Sequence, residues 1–175
     1  MILTLLKRLT KEFDFHNISY MLSGSVAMGI YTVPRMTLDI DIVIELDNSN
    51  IDVFLNIFKE NFYINAASVK EEIKRRGMFN VIDHDTGYKV DFIVRKESKY
   101  RRLEFARKRK ANINDFSVWV VSPEDLVISK IEWIQQYPSP KQINDIENIL
   151  DYEDIDKTYI IEWCNELGLV TFNLL

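Results

Sequence analysis

The segment Asp39-Ile-Asp-Ile-Val-Ile-Glu-Leu46 constrains the fold of this chain more than any other. Its side chains alternate at period two, which predicts a strand with Ile40, Ile42 and Ile44 on one face and Asp39, Asp41 and Val43 on the other. Acidic residues of a soluble protein usually sit on wet loops or helix faces. Here two of them interrupt a run that otherwise reads as buried strand.

The neighbouring residues extend this strand into a mixed α/β pattern. Leu5, Leu6, Leu9 and Phe13 recur at helical spacing, so a helix is expected over Leu3–Phe15. A short strand over Ser19–Leu22 runs into Ser23-Gly24-Ser25. A short helix over Val26–Tyr31 follows and stops at Val33-Pro34. A further helix is expected over Ser49–Asn61. Met78–Asp83 and Tyr88–Val94 read as a hairpin around His84-Asp-Thr-Gly87, and Asp91 interrupts its second strand. Lys108–Ile113 and Val118–Val121 add strand candidates. Then the pattern changes. Ser122 is placed to cap a helix with Pro123 at its first position, and helices are expected over Pro123–Gln136, Pro140–Leu150 and Lys157–Leu167, the last closed by Gly168. The expectation is an α/β (α+β) fold in two parts: a core over residues 1–121 with a mixed sheet flanked by helices, and a helical region over residues 122–175.

Composition excludes several classes of function. No apolar run approaches the length of a membrane span, so no membrane partner is expected. In Met1-Ile-Leu-Thr-Leu-Leu-Lys-Arg8 the basic residues follow the apolar ones, unlike a signal peptide. Cys164 is the single cysteine, so the expected compartment is the cytoplasm. His16 and His84 lack zinc-ligand spacing. The net charge of −5 disfavours a generic nucleic-acid coat, yet Arg95 to Lys110 is strongly basic. That run reads either as a solvated face or as a patch able to hold a nucleotide or an RNA backbone.

Asp39 and Asp41 project the same way from one strand, and like charges so close raise each other's pKa unless a cation lies between them. A hard divalent cation suits that need, with Asp91 as a third ligand, and three carboxylates suit a two-metal site. Asp-x-Asp alone is also an ordinary pair of turn or edge carboxylates. Gly24-Ser25 adds a phosphate-binding reading: glycine admits close backbone approach, Ser25 adds a hydroxyl, and the following helix aims its amides at an anion. No lysine follows at the position a P-loop requires. Lys130 falls on the apolar stripe Leu126, Val127, Ile131, Ile134, where a lysine either snorkels to the rim or reaches a ligand. Lys141 and Asp145, four apart on a helix, read equally as a surface ion pair or as part of a nucleotide site. Arg35 and Thr37 border the Asp pair, within reach of phosphate. Trp119, Trp133 and Trp163 are expected in the core.

The order strand, Gly-Ser, short helix, strand with Asp-x-Asp, then a later strand with one Asp resembles the DNA polymerase β-like nucleotidyltransferase superfamily. The longer stretch Ser23-Gly-Ser-Val-Ala-Met-Gly-Ile-Tyr-Thr-Val-Pro-Arg-Met-Thr-Leu-Asp-Ile-Asp41 is most similar to the AbiEii/AbiGii toxin-type branch. So is Val121-Ser-Pro-Glu-Asp-Leu-Val-Ile-Ser-Lys130, followed by Lys141 and Asp145 in a basic-x-x-x-Asp element. The resemblance implies Mg²⁺- (or Mn²⁺-) dependent transfer of a nucleoside monophosphate from an NTP to an acceptor. It assigns Gly24 and Ser25 to the triphosphate, Asp39, Asp41 and Asp91 to metal, and Asp91 as base toward the acceptor hydroxyl.

Three readings follow. The first is an enzyme acting on RNA, tRNA or a protein hydroxyl, or alternatively on a small antibiotic, with the basic run favouring a polyanion. The second is an inactive nucleotide-binding regulator, one half of a toxin–antitoxin pair. The third, an Asp-x-Asp glycosyltransferase, leaves Gly24-Ser25 without a role.

Overall fold

The computed structural model describes residues 2–175. Helix α1 (Ile2–Phe15) leads into β1 (Tyr20–Ser23), α2 (Gly24–Tyr31) and β2 (Asp39–Ile44). Then come α3 (Ile51–Ile57), β3 (Phe62–Tyr63), α4 (Ala66–Arg75), and the hairpin β4 (Met78–Asp83) and β5 (Lys89–Val94). Helix α5 (Lys99–Ala106), β6 (Arg109–Ile113) and β7 (Phe116–Val120) precede α6 (Pro123–Ile134), α7 (Pro140–Leu150) and α8 (Lys157–Glu166). The strands form one mixed sheet in the order β3-β4-β5-β2-β1-β7-β6. This is the α/β architecture that the alternation around Asp39 predicts.

The isoleucine face of β2 is fully buried. Phe92 and its neighbours Val90 and Val94 bury the same face of β5. Against them α1 and α3 lay an aromatic cluster: the Phe13 ring lies 5.4 Å from Tyr20 and 6.0 Å from Phe92, and Phe54 stands edge-on to Phe92 at 5.2 Å. Such pairs add about 0.5–1.5 kcal/mol each beyond burial. Strand β1 is buried on both faces, and it pairs antiparallel with β2 and parallel with β7. Ser122 caps α6 by accepting from the Asp125 amide, with Pro123 in the first turn, as expected.

The structure departs from the sequence reading in identifiable places. Helix α2 begins at Gly24 rather than Val26, so the glycine itself opens the helix. The helix expected over Ser49–Asn61 is confined to Ile51–Ile57, because the chain then turns to put Phe58 and Phe62 4.9 Å apart in the aromatic cluster. Helices α4 and α5 were not foreseen. The buried face of α4 carries only Val69, Glu72 and Ile73, and that of α5 includes Glu104, so neither presents an apolar stripe. Trp133 is 53% exposed and packs on Tyr137 at 5.4 Å rather than in the core.

The basic run from Arg95 is largely paired. Arg95 reaches Glu45 at 2.6 Å, Lys99 reaches Glu166 at 2.8 Å, and Arg101 holds Glu104 at 2.7 Å and also Glu132. Arg107 lies 3.0 Å from Asp125 and 3.2 Å from Glu124. Asp125, fully buried, also accepts from Ser122 Oγ at 2.6 Å, Tyr159 OH at 2.9 Å and Tyr100 OH at 3.2 Å, which ties α5, α6 and α8 together.

Phe92→Ala removes the ring against which α1 and α3 pack. It is expected to lower unfolding free energy by about 3–5 kcal/mol in urea titrations followed by circular dichroism.

Candidate functional site

The pairing of β2 with β5 places the acidic residues. The two strands are parallel, with Asp39 opposite Lys89 and Asp41 opposite Asp91. Alternation then puts all four side chains on the face opposite the isoleucines. β1 adds Ser23 opposite Asp41 on that face, and Gly24 comes next.

Gly24 has φ +62°, and a Cβ built on it would lie 1.8 Å from Asp41 Oδ2. Only glycine leaves room for that carboxylate. The sequence suggests a glycine kept for close approach of a phosphate; in the structure the group already pressed against it is Asp41.

Burial raises the Asp41 pKa first, and the neighbouring charges of Asp91 and Asp39 raise it further; Lys130 and Lys89 act the other way. Lys89 Nζ stands 2.8 Å from Asp91 Oδ2 and 3.7 Å from Asp39 Oδ1, and the bond to Asp91 pushes the lysine pKa up. Among the described residues no three Asp, Glu, His or Cys side chains converge tightly enough to form a metal centre. The ammonium of Lys89 lies instead between two of the three carboxylates. The donor set nevertheless suits a hard cation: the oxygens come from adjacent strands in fixed register, and Asp41 carries a negative environment that a cation relieves.

A second network lies on the Ser25 side. Arg35 Nη2 donates to Ser25 Oγ at 2.6 Å, and its Nε and Nη2 form a bidentate pair with Asp145 at 2.9 Å each. Lys130 Nζ donates to the same carboxylate at 2.9 Å and to Gln142 Oε1 at 3.1 Å. The side chains of Lys130 and Asp145 are only 8% and 3% exposed. Burial pushes the Lys130 pKa down although Asp145 pulls it up. For Asp145, burial acts upward, but Arg35 and Lys130 outweigh it and hold the carboxyl below its ordinary range. Lys130 thus reaches a partner at the seam between helices rather than snorkelling to solvent.

The structure brings together Gly24, Ser25, Arg35, Asp39, Asp41, Asp91, Lys130 and Asp145. It leaves Lys141 out: that residue is exposed on the first turn of α7, and Asp145 pairs with Arg35 and Lys130 instead of with it. Sequence reasoning missed Lys89 and Gln142. The signal for Lys89 was its place two residues before Asp91, hence on the same face of the strand.

Residues 4–168 match the family described as nucleotidyl transferase AbiEii toxin, type IV TA system. The chain belongs to the AbiEii nucleotidyltransferase family. It is therefore a nucleotidyltransferase by family, and the family belongs to toxin–antitoxin systems. No curated protein matches the sequence. Several solved structures share the fold at low identity. The lincosamide antibiotic adenylyltransferase LnuA, bound to lincomycin, is 12% identical with a TM-score of 0.58, over 84% of this chain and 95% of that one. The antibiotic-resistance factor ANT(2")-Ia, in complex with adenylyl-2"-tobramycin, is 15% identical with a TM-score of 0.54, over 94% and 88%. An antigenic nucleotidyltransferase-like protein from Paracoccidioides brasiliensis is 21% identical with a TM-score of 0.54, over 84% and 72%. Among the described residues no helix is long and apolar enough to cross a membrane.

Gly24→Ala is expected to destabilise the protein by about 1–3 kcal/mol in denaturant titration, since it combines a left-handed backbone with displacement of Asp41.

Asp145→Asn strips a buried pair of its anion and is expected to cost about 3–5 kcal/mol at pH 7. The folded-state pKa of Asp145 is depressed, so its contribution is present above the unfolded value of about 3.9 and is lost as pH falls through the folded one. The stability gap between wild type and Asp145→Asn, measured from pH 7 to pH 2.5, should hold above pH 4 and close below it.

Proposed function

We propose that this chain transfers a nucleoside monophosphate from an NTP to a hydroxyl of RNA, tRNA or protein, in a divalent-cation-dependent reaction, as a cytoplasmic toxin with a cognate antitoxin partner. The observation that carries this reading is the meeting of two unlike networks at the start of α2, where Gly24 lies against Asp41 and Ser25 against Arg35. Three carboxylates lie on the β2–β5 face, and a cationic seam of Arg35 and Lys130 lies beside Ser25. Asp41 joins them, within electrostatic reach of Lys130.

Each residue has a part in that reading. Asp39, Asp41 and Asp91 hold Mg²⁺ or Mn²⁺, which supplies the positive charge that steadies the triphosphate and the leaving pyrophosphate. Gly24 and Ser25, at the start of α2, offer amides and a hydroxyl to the phosphates. Arg35 and Lys130 add charge there, with Asp145 fixing both cations in place. Lys141, exposed at the mouth of α7, is left for the outer part of the donor. Asp91 accepts the proton of the acceptor hydroxyl as that oxygen attacks the α-phosphorus. The bond from the α-phosphorus to its bridging oxygen then breaks, and pyrophosphate leaves with the electron pair. In this reading residues 1–121 carry the carboxylates and residues 122–175 close the phosphate side.

One observation favours a second acceptor class, a small hydroxylated molecule such as an antibiotic. Arg95, Lys99, Arg101, Arg107 and Arg109 are engaged with carboxylates, so much of the basic run offers little to a nucleic-acid backbone.

The test is incubation with each α-labelled NTP, Mg²⁺ and total tRNA, cell lysate or aminoglycoside and lincosamide antibiotics, beside Asp39→Ala/Asp41→Ala and a chelator control. Transfer of label is expected, with a fall of at least about 10²–10³-fold in the double variant, the scale of losing one preorganised charge-stabilising group. Label that persists in the variant would overturn the site assignment. NTP binding without transfer to any acceptor would favour the inactive regulator.

A further inference from the structure

Four alternate positions on two parallel strands make a rectangle of charge. Asp39 and Asp41 stand on β2, with Lys89 and Asp91 opposite them on β5. Three corners are carboxylates and the fourth is an ammonium that touches Asp91 at 2.8 Å and lies 3.7 Å from Asp39. Because the isoleucine and phenylalanine faces of β2 and β5 are buried, the register cannot slip by one residue without exposing them. Lys89 is therefore held at the rectangle by its backbone, while its side chain is 40% exposed. Lys130, the other nearby cation, is buried and bound to Asp145.

We propose that Lys89 is a displaceable counter-ion for the carboxylate site. Without nucleotide its ammonium neutralises Asp39 and Asp91, and a divalent cation arriving alone must strip those carboxylates from it and leave an unpaired lysine beside a dication. A triphosphate removes that penalty, because its phosphate oxygens offer the ammonium new partners as the metal takes the carboxylates. Lys89 thereby makes metal entry depend on the nucleotide. This inference rests on the metal-dependent reading above.

The alternative is an ordinary wet ion pair, worth about 0–1 kcal/mol and without influence on the metal. The two differ in free-metal affinity, measured on the intact protein by electron paramagnetic resonance of Mn²⁺. The comparison covers wild type, Lys89→Met, Lys89→Arg and Asp41→Asn, with Mn²⁺ alone and with Mn²⁺ plus the α,β-methylene analogue of each NTP.

Lys89→Met should bind Mn²⁺ alone at least about tenfold more tightly than wild type, a modest part of what one nearby unit charge exerts at a protein surface. Lys89→Arg should stay close to wild type, and with the analogue present the advantage of Lys89→Met should shrink or reverse. Equal Mn²⁺ affinity in Lys89→Met and wild type, with Asp41→Asn still weakening both, would overturn the role of Lys89 and keep the metal site. Mn²⁺ binding that is unmoved by Asp41→Asn, or absent in every variant with and without analogue, would overturn the metal reading itself.

Discussion

Asp145 anchors the seam on which the rest of the site depends. It accepts both forks of Arg35 from the loop before β2 and the ammonium of Lys130 from α6, while itself sitting on α7. An enclosed carboxylate with two cations is costly to break from any side, because each removal leaves an uncompensated buried charge. The loop, α6 and α7 are therefore fixed relative to one another by one side chain. Through Arg35 the constraint extends to Ser25 at the mouth of α2. Thr32 continues it backward: its amide caps α2 on Met28 before the chain turns toward Arg35.

The second constraint is the register of β2 on β5. The sheet places carboxylates in line because the opposite faces of both strands are packed with isoleucine, valine and phenylalanine. The core thus orients the site at no extra conformational cost, since the same alternation serves both. Gly24 completes the arrangement from the start of α2, where absence of a Cβ lets the Asp41 carboxylate close against the backbone.

Much of this could be read from the sequence where the signal is local. The strand alternation gave the faces of Asp39, Asp41 and Asp91, the serine cap gave the start of α6, and the charge of Lys130 on an apolar stripe left two readings, a snorkel to the rim or a reach to a ligand. The partner itself was not legible. Local spacing offers Lys141 to Asp145, but a buried carboxylate is satisfied by whichever cations the tertiary fold delivers, here from a loop 110 residues away in the chain. Lys89 was hidden for a related reason, since its neighbours Asp39 and Asp41 are set by parallel pairing that no hairpin rule supplies. Helices α4 and α5 escaped because their buried sides carry carboxylates, and a buried glutamate reads as surface until its arginine is seen.

The buried and partly buried carboxylates fall into two populations, and the contrast bears on which of them do chemistry. Asp125 collects a serine, two tyrosines and an arginine, and Glu104 collects Arg101 and Ser129 at 2.7 Å. Their charges are matched by donors at hydrogen-bond range, as a carboxylate that holds elements together requires. Asp41 is partly buried, yet its company is two more carboxylates, and its compensating lysines are bonded elsewhere, Lys130 to Asp145 and Lys89 to Asp91. A fold that satisfies its structural carboxylates so fully has no stability reason to gather three more on one face of two neighbouring strands. Lys89 offsets part of their charge, and the remainder is stabilised when something more positive arrives, which is the requirement a metal–nucleotide complex meets.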